Sequence, residues 1–414
     1  MNFTIIFFIA LSLCWTLSPD GLLLLGNIAG QGGPWSLLLF IGAVALFLPS
    51  YRATPSTQNR LPQVVQIALT TLTLSCYLGL ALFIPTGNLV TAGFTFNETF
   101  VYWFPNFGFA FLLLGLVLVC HLVGGKVPKY LQVLSTILVL INVIGLALVG
   151  IFTEGDQQLF AEKTTLSSNT FSLFPLALLL FLGGQGESDN REMRRAPTYT
   201  VYLPLFIALL FTTLWSSASL LHVPQSKLAD SSIPYIIGAR EILGQPGRII
   251  MGVAIIAGAV GVLNGLLILF QQNIHKLALQ FELKLGSAAV INRVFSVLIC
   301  AGVGYFMASG LAGYEKLEVY IYTALSLWLL LTALTTFIHC REQPTSNRFS
   351  RSGAAAALII LPASIYLLCT GDTLDLSLRF LSYLLSGSFA VSIIWFWLSR
   401  LTGNQQQSLS PKRR

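Results

Sequence analysis

Apolar stretches of about twenty residues recur along the whole chain, and this recurrence limits the fold more than any single motif does. A helix needs about 20 apolar residues to cross the hydrocarbon core of a bilayer. Hydrophobic residues make up 55% of the 414 residues and charged residues only 9%, which excludes a soluble enzyme with a large core. Hydropathy, helix breakers and charges predict twelve segments, at 3–29, 35–49, 63–84, 105–122, 131–152, 171–186, 200–221, 249–274, 289–311, 318–339, 353–370 and 378–399. The sequence therefore predicts an all-α integral membrane protein with about 12 transmembrane helices.

The basic residues predict how these segments are oriented. If the amino terminus is cytoplasmic, the cytoplasmic connections and the tail hold 17 of the 23 Lys and Arg residues. Because cytoplasmic loops are enriched in Lys and Arg, this split predicts that both termini are cytoplasmic. Asn97 in "FNET" is then expected on the outside. The net charge of +7 follows from this topology, and we expect no nucleic-acid partner. The short connections favour a bacterial inner membrane.

Two of the predicted segments contain residues that interrupt a helix. The first includes "WTLSPDGLLLLGN" at 15–27, where a proline, an acid and a glycine stand inside an apolar run. The sixth includes "LALLLFLGGQGESDNREMRRAP" at 176–197, with a cluster of glycines. The two broken segments lie five spans apart and enter from opposite sides, as in an inverted repeat of five helices. We expect one membrane domain over 1–414. It should contain a first repeat at about 1–152, a second at about 171–339, extra helices at about 353–399 and a cytoplasmic tail at 400–414.

Broken helices at matching positions predict a binding site near the middle of the membrane. Ser18 suits a helix N-cap, Pro19 the first helical position and Asp20 the first turn, so a second half-helix should begin near Pro19. The free amides of Asp20, Gly21 and Leu22 could then hold a substrate carboxylate. Carbonyls at the end of the half-helix before Gly183 suit an ammonium group or a cation. A zwitterion fits between these two ends.

Three stretches resemble the amino acid/polyamine/organocation transporter superfamily. These are "SPDGLLLLGNIAGQGGP", "FLGGQGESDNREMRRAP" and "HLVGGKVPKYLQVLSTILVLI", which are similar to its first-helix motif, its sixth-helix motif and its fourth-to-fifth-helix connection. The sequence also departs from the pattern: Pro19 and Asp20 replace the first two small residues of the first motif, Gly184 and Gln185 replace an aromatic residue and an acid, and Val139 stands near a position where some members carry lysine.

The resemblance implies a secondary active transporter of amino acids or related small amines, working by symport, exchange or export. The resemblance leaves open whether a proton or another ion is coupled to transport. The expected substrate-binding residues are Ser18, Asp20, Gly21, Leu22, Phe181, Gly183 and Gly184, and Asp20 is the candidate for coupling. The alternative is an ion channel or a non-transporting membrane protein of the same fold. A channel would need a continuous polar lining, and an enzyme would need a polar catalytic cluster; the sequence offers neither.

Several residues also allow a purely structural interpretation. Asp20 could serve only as a helix cap, and the glycines near Gly183 could be sites of close helix packing. The connection at 222–247 is interpreted either as a lid with a short helix or as ordinary loop packing. The six cysteines and four histidines show no ligand spacing, so we expect no metal site and no cofactor.

Overall fold

The computed structural model describes residues 3–52, 63–153, 155, 168–183, 199–280, 288–313, 315–342, 348–369, 374–387, 389–390 and 393. Within these residues the regular secondary structure is helical. The helices are α1 (Phe3–Ser12), α2 (Pro19–Gly32), α3 (Ser36–Arg52), α4 (Gln63–Thr99), α5 (Asn106–Val123), α6 (Val127–Phe152), α7 (Ser168–Ser172), α8 (Phe174–Leu180), α9 (Tyr199–His222), α10 (Gln225–Ala229), α11 (Pro234–Gln280), α12 (Ala288–Ala308), α13 (Glu315–Glu342), α14 (Arg348–Cys369) and α15 (374–387).

The predicted all-helical membrane fold is confirmed. Each of the twelve predicted segments contains helix in the described part of the chain. Nine apolar stretches there are long enough to cross a membrane, judged by length and composition. Phe3–Ser12 and Thr170–Leu180 are shorter apolar helices, because the first and sixth segments are interrupted where breaks were predicted.

Helix α4 is longer than expected. The apolar window ends at 84, but the helix continues to Thr99 with Pro85 inside it. Proline is tolerated within a membrane helix when neighbouring helices and side chains satisfy the freed backbone groups. As a result Asn97 lies in the last turns of a helix, where its Nδ2 donates to the carbonyls of Tyr102 and Phe104 at 2.6 and 2.8 Å.

The connection between α9 and α11 contains the short helix that was predicted. It is α10, which packs against α2. Helix α11 follows and is kinked at Gly244, whose φ is +63°. A Cβ added at Gly26 would clash with the ring of Pro234, and one added at Gly30 would clash with the backbone nitrogen of Ala229. The connection therefore lies directly on α2, and whether it moves as a lid stays a prediction.

The helices that hold α2 create the surroundings of the candidate site. Helix α2 contacts α4, α8, α9, α10 and α11, and α11 packs along both α4 and α6. Glycines permit these close contacts: a Cβ at Gly258 of α11 would lie 2.5 Å from the carbonyl oxygen of Leu17. The interrupted first segment is therefore enclosed by other helices, as non-helical backbone inside a membrane requires.

Candidate substrate site at the first helix break

The first segment breaks where the sequence predicted. Helix α1 ends at Ser12 and α2 begins at Pro19, with turns between them. Ser18 is the N-cap, and its Oγ accepts a hydrogen bond of 3.0 Å from the Gly21 amide. Asp20 lies in the first turn. The sequence signal is strong here because cap, proline and acid all favour the same helix start.

The sixth segment also breaks as predicted. Helix α8 ends at Leu180, and Gly183 has a φ of +142°, a conformation that favours glycine. A Cβ at Gly183 would lie 2.5 Å from the carbonyl oxygen of Ser12, so the glycine allows the two breaks to approach each other. Gly184 and Gln185 lie outside the described residues.

The two breaks are joined by hydrogen bonds. Trp15 Nε1 donates to the carbonyl oxygen of Leu179 at 2.8 Å, and Thr16 Oγ1 donates to that of Leu180 at 2.6 Å. We predicted that carbonyls at the end of this half-helix would be open to an ammonium group or a cation. Side chains of the first segment therefore supply one partner for each of these buried carbonyls. A carbonyl oxygen can accept a second bond, so the binding of an ammonium group or a cation here stays a prediction.

The three amides at the start of α2 are also used. The Asp20 amide donates to Asn88 Oδ1 at 3.0 Å, the Gly21 amide to Ser18 Oγ, and the Leu22 amide to the Ser18 carbonyl at 2.9 Å. The expected cradle of free amides for a substrate carboxylate is therefore wrong for this structure. The sequence shows the cap, but it does not show that a side chain from α4 occupies the remaining donor.

Asn88 is the site residue that the sequence analysis missed. It is fully buried on α4, and its Nδ2 donates to Asp20 Oδ2 at 2.8 Å and to the Ile84 carbonyl at 2.7 Å. A lone amide side chain inside an apolar helix was the available signal. Asp20 and Asn88 thus form a reciprocal pair, in which the amide holds one carboxylate oxygen. Asp20 Oδ1 has no hydrogen-bond partner among the described residues.

The groups around Asp20 give the site a negative character. Glu318 lies close enough to the Asp20 carboxylate for the two charges to repel each other. The neutral hydroxyl groups of Tyr235 and Tyr322 also lie in the neighbourhood of Asp20. Glu318 lies in the first turn of α13 and is exposed, and Tyr322 follows one turn later. Two neighbouring carboxyl groups suit a positively charged ligand.

The other expected site residues have mainly packing roles in this structure. Leu22 is fully buried in the core. Phe181 is buried, and its ring meets that of Phe40 edge to face, with centroids 6.4 Å apart. The structure therefore brings Ser18, Asp20 and Gly21 together, and it places Gly183 beside the end of α1.

Comparisons with known proteins identify the fold. No protein-family model matches the chain. Among solved structures, the manganese transporter of Eremococcus coleocola superimposes with a TM-score of 0.58 at 12% identity, covering 96% of this chain and 95% of that one. MhsT, in complex with L-phenylalanine, gives 0.56 at 13% identity, covering 89% and 98%. A Na⁺-coupled sialic acid symporter gives 0.53 at 14% identity, covering 88% and 90%.

The chain has a LeuT-like fold. This agrees with the inverted repeat of five helices and the two broken helices that the sequence predicted. The three solved proteins are membrane transporters and none is an enzyme.

Proposed function

We propose that this chain is a secondary active transporter of a small substrate that carries a protonated amine, either an amino acid or a related amine. The observation that carries the proposal is the Asp20 carboxylate, located at the restart of a broken membrane helix with one oxygen held by Asn88 and the other without a partner among the described residues. An ammonium group that binds there would complete the hydrogen bonding of the carboxylate.

An energy comparison supports a cation at Asp20. An ionised Asp at the centre of a membrane helix is unfavourable by about 2.5–3.5 kcal/mol on insertion scales. The helix N-terminus returns about 0.3–1 kcal/mol, and a hydrogen bond between membrane helices about 0.6–1.7 kcal/mol. Together these leave a deficit of about 1 kcal/mol, which a bound cation or cavity water would remove.

The structural neighbours support transport driven by gradients. MhsT was solved with an amino acid, and the sialic acid protein is described as a Na⁺-coupled symporter. The sequence of this chain contains no ATP-binding motif. We therefore propose that a proton or Na⁺ gradient, or exchange, drives transport, with Asp20 as the candidate coupling residue.

Transport of a divalent metal ion is the second candidate, because a manganese transporter is among the structural neighbours. Asp20 and Asn88 supply the oxygen ligands that Mn²⁺ accepts. Against this, the described residues contain no group of three His, Cys, Asp or Glu side chains that could hold a metal ion. An amine needs only the one open carboxylate oxygen of Asp20, and it is therefore our first candidate.

Uptake by purified protein in proteoliposomes tests the proposal. Labelled amino acids, their decarboxylated amines and Mn²⁺ are supplied in turn to wild type, to Asp20→Asn and to the control Asp375→Asn. The control removes an exposed acid that pairs with Arg379 on α15. We expect saturable transport of an amine-bearing substrate, an at least ten-fold loss in Asp20→Asn and an unchanged control. Transport of Mn²⁺ alone would favour the second candidate, and transport of none of these solutes would contradict both.

A further inference from the structure

A second polar cluster lies away from Asp20, among α5, α6 and α11. His121 Nε2 lies 3.0 Å from Asn264 Oδ1, and Asn264 Nδ2 donates to Gln132 Oε1 at 2.9 Å. Gln132 Nε2 donates to the carbonyl oxygen of Ala10 in α1 at 3.1 Å. All these side chains are buried. A continuous chain of hydrogen bonds therefore connects His121 with the first broken segment.

A cavity of about 420 Å³ opens beside His121. It lies where α5 and α11 end and where α6 and α12 begin. The positive-inside rule predicts this side of the bundle to be cytoplasmic and rich in basic residues. Lys129, His275 and Arg293 line it, and no acidic residue is found among its lining residues in the described part of the chain. The cavity is therefore positively charged, which suits an anion.

Some of the polar groups that line the cavity have no partner among the described residues. His275 is bonded to Asn292 at 2.8 Å, but Arg293 forms no hydrogen bond or ion pair with any described residue. Lys129 Nζ lies 5.3 Å from the centroid of the Phe7 ring, which leaves its donors open. Gln272 Oε1 is buried with no partner among the described residues. The cavity thus offers two cationic donors and one buried acceptor.

The start of α6 adds a second attraction for an anion. This helix has 26 residues, and its N-cap, Lys126, provides no side-chain cap. Gly124 and Gly125 line the cavity with φ values of +72° and +63°, and the space above Gly125 is open. The positive end of the helix dipole therefore points to the region that Lys129 and Arg293 surround.

The surface next to the cavity is apolar and exposed. Val123 is 62% exposed and Tyr130 54% exposed, and Val290 and Val294 of α12 are also exposed. Such a surface matches acyl chains, whereas a soluble anion would gain nothing from it. We propose that this cavity binds the phosphate group of an anionic lipid in the basic-residue-rich leaflet, with Arg293 and Lys129 contacting the phosphate and Gln272 accepting from a headgroup hydroxyl. Basic pockets between membrane helices are known to bind lipid phosphates in this way.

Thermal unfolding of delipidated protein tests this proposal without any transport measurement. Phosphatidylglycerol, phosphatidylcholine and inorganic phosphate are titrated into wild type, Arg293→Gln, the double variant Arg293→Gln/Lys129→Gln, and the control Lys126→Gln. Lys126 is exposed in the same turn but does not line the cavity. We expect phosphatidylglycerol to raise the unfolding temperature of wild type and control equally. Its apparent affinity should fall about five-fold in the single variant and about thirty-fold in the double variant.

Three results would overturn the proposal. Equal stabilisation by phosphatidylcholine would show that the headgroup charge is not recognised. Equal stabilisation by inorganic phosphate would assign the cavity to a soluble anion. An unchanged affinity in the double variant, which removes only exposed charges and is expected to fold, would place the lipid elsewhere.

Discussion

The Asp20 pair (Asp20 with Asn88) and the His121 cluster (His121, Asn264 and Gln132) are both polar groups inside an apolar helix bundle. They differ in how many of their possible hydrogen bonds are formed. In the His121 cluster, Asn264 satisfies His121 and Gln132 at the same time. At the first break, Asn88 satisfies one oxygen of Asp20 and leaves the other without a described partner. The comparison shows that helix breaks alone do not form a binding site. We propose that the incompletely paired charge of Asp20 does, while a neutral, hydrogen-bonded cluster stabilises the scaffold.

Cysteine labelling from the outside gives the largest expected difference between the two regions, because one position should react fully and the other not at all. Asp230→Cys and Lys126→Cys place thiols at exposed positions in loops next to the Asp20 and His121 regions. In a background without native cysteines, we expect an impermeant reagent added outside to modify residue 230 and spare residue 126. The opposite pattern would invert the proposed topology, including the cytoplasmic termini.

Asn264→Ala should have the largest effect on stability. The side chain is fully buried, and its loss leaves His121 Nε2 and Gln132 Oε1 without a partner. We expect the free energy of unfolding in detergent micelles to fall by about 2–4 kcal/mol. The matched control is Asn142→Ala, whose side chain bonds only to the Leu138 carbonyl of its own helix and should change stability by less than about 0.5 kcal/mol. Equal effects of both variants would show that the His121 cluster contributes no stability.

Gly21→Ala tests the close packing at the first break. A Cβ at Gly21 would lie 2.5 Å from the carbonyl oxygen of Trp15, so the backbone must shift. We expect a loss of about 1–3 kcal/mol in the free energy of unfolding. At Gly145, within α6, an added Cβ meets no atom within 4 Å, and Gly145→Ala should stabilise by about 0.5–1 kcal/mol. A gain in both variants would mean that the turn at 13–18 is not tightly held.

Thr16→Val should have the smallest effect. It removes the hydrogen bond to the Leu180 carbonyl and keeps the size of the side chain. Hydrogen bonds between membrane helices contribute about 0.6 kcal/mol on average, so a loss of that order is expected. Thr213→Val is the control, since Thr213 bonds only to carbonyls of its own helix. A loss of unfolding free energy that exceeds the control's by more than about 2 kcal/mol would mean that this bond holds the two breaks together on its own.

The sequence was informative wherever one short stretch determined the local structure. Ser18, Pro19 and Asp20 indicate a helix start by their own chemistry, and the structure has that start. The glycine cluster likewise located the end of α8. The partners could not be predicted, because Asn88 lies 68 residues from Asp20 and Leu180 lies 164 residues from Thr16. Ser18 itself bonds the Gly21 and Leu22 amides, but the partners of the Asp20 amide and of the Leu179 and Leu180 carbonyls come from distant parts of the chain, which a local pattern does not encode.

Helix length was harder to predict than helix position. The apolar window stopped at Pro85, although α4 continues to Thr99 and carries Asn88. A hydropathy window detects the residues that contact lipid. Residues 86–99 instead face other parts of the protein for much of their surface, so the window did not extend over them. The membrane segments could therefore be located from the sequence, whereas the last part of α4, which carries Asn88, could not.

Direct binding of an amino acid and of its decarboxylated amine to wild type and Asp20→Asn tests the central claim most directly. Asn caps a helix about as well as Asp, so the substitution removes the charge and preserves the helix start, which thermal unfolding would check. We expect the amine to bind Asp20→Asn at least ten-fold more weakly than wild type, with a smaller loss for the amino acid, whose own carboxylate is repelled by Asp20. Equal affinities of the two proteins for both ligands would contradict the account and leave Asp20 as a helix cap.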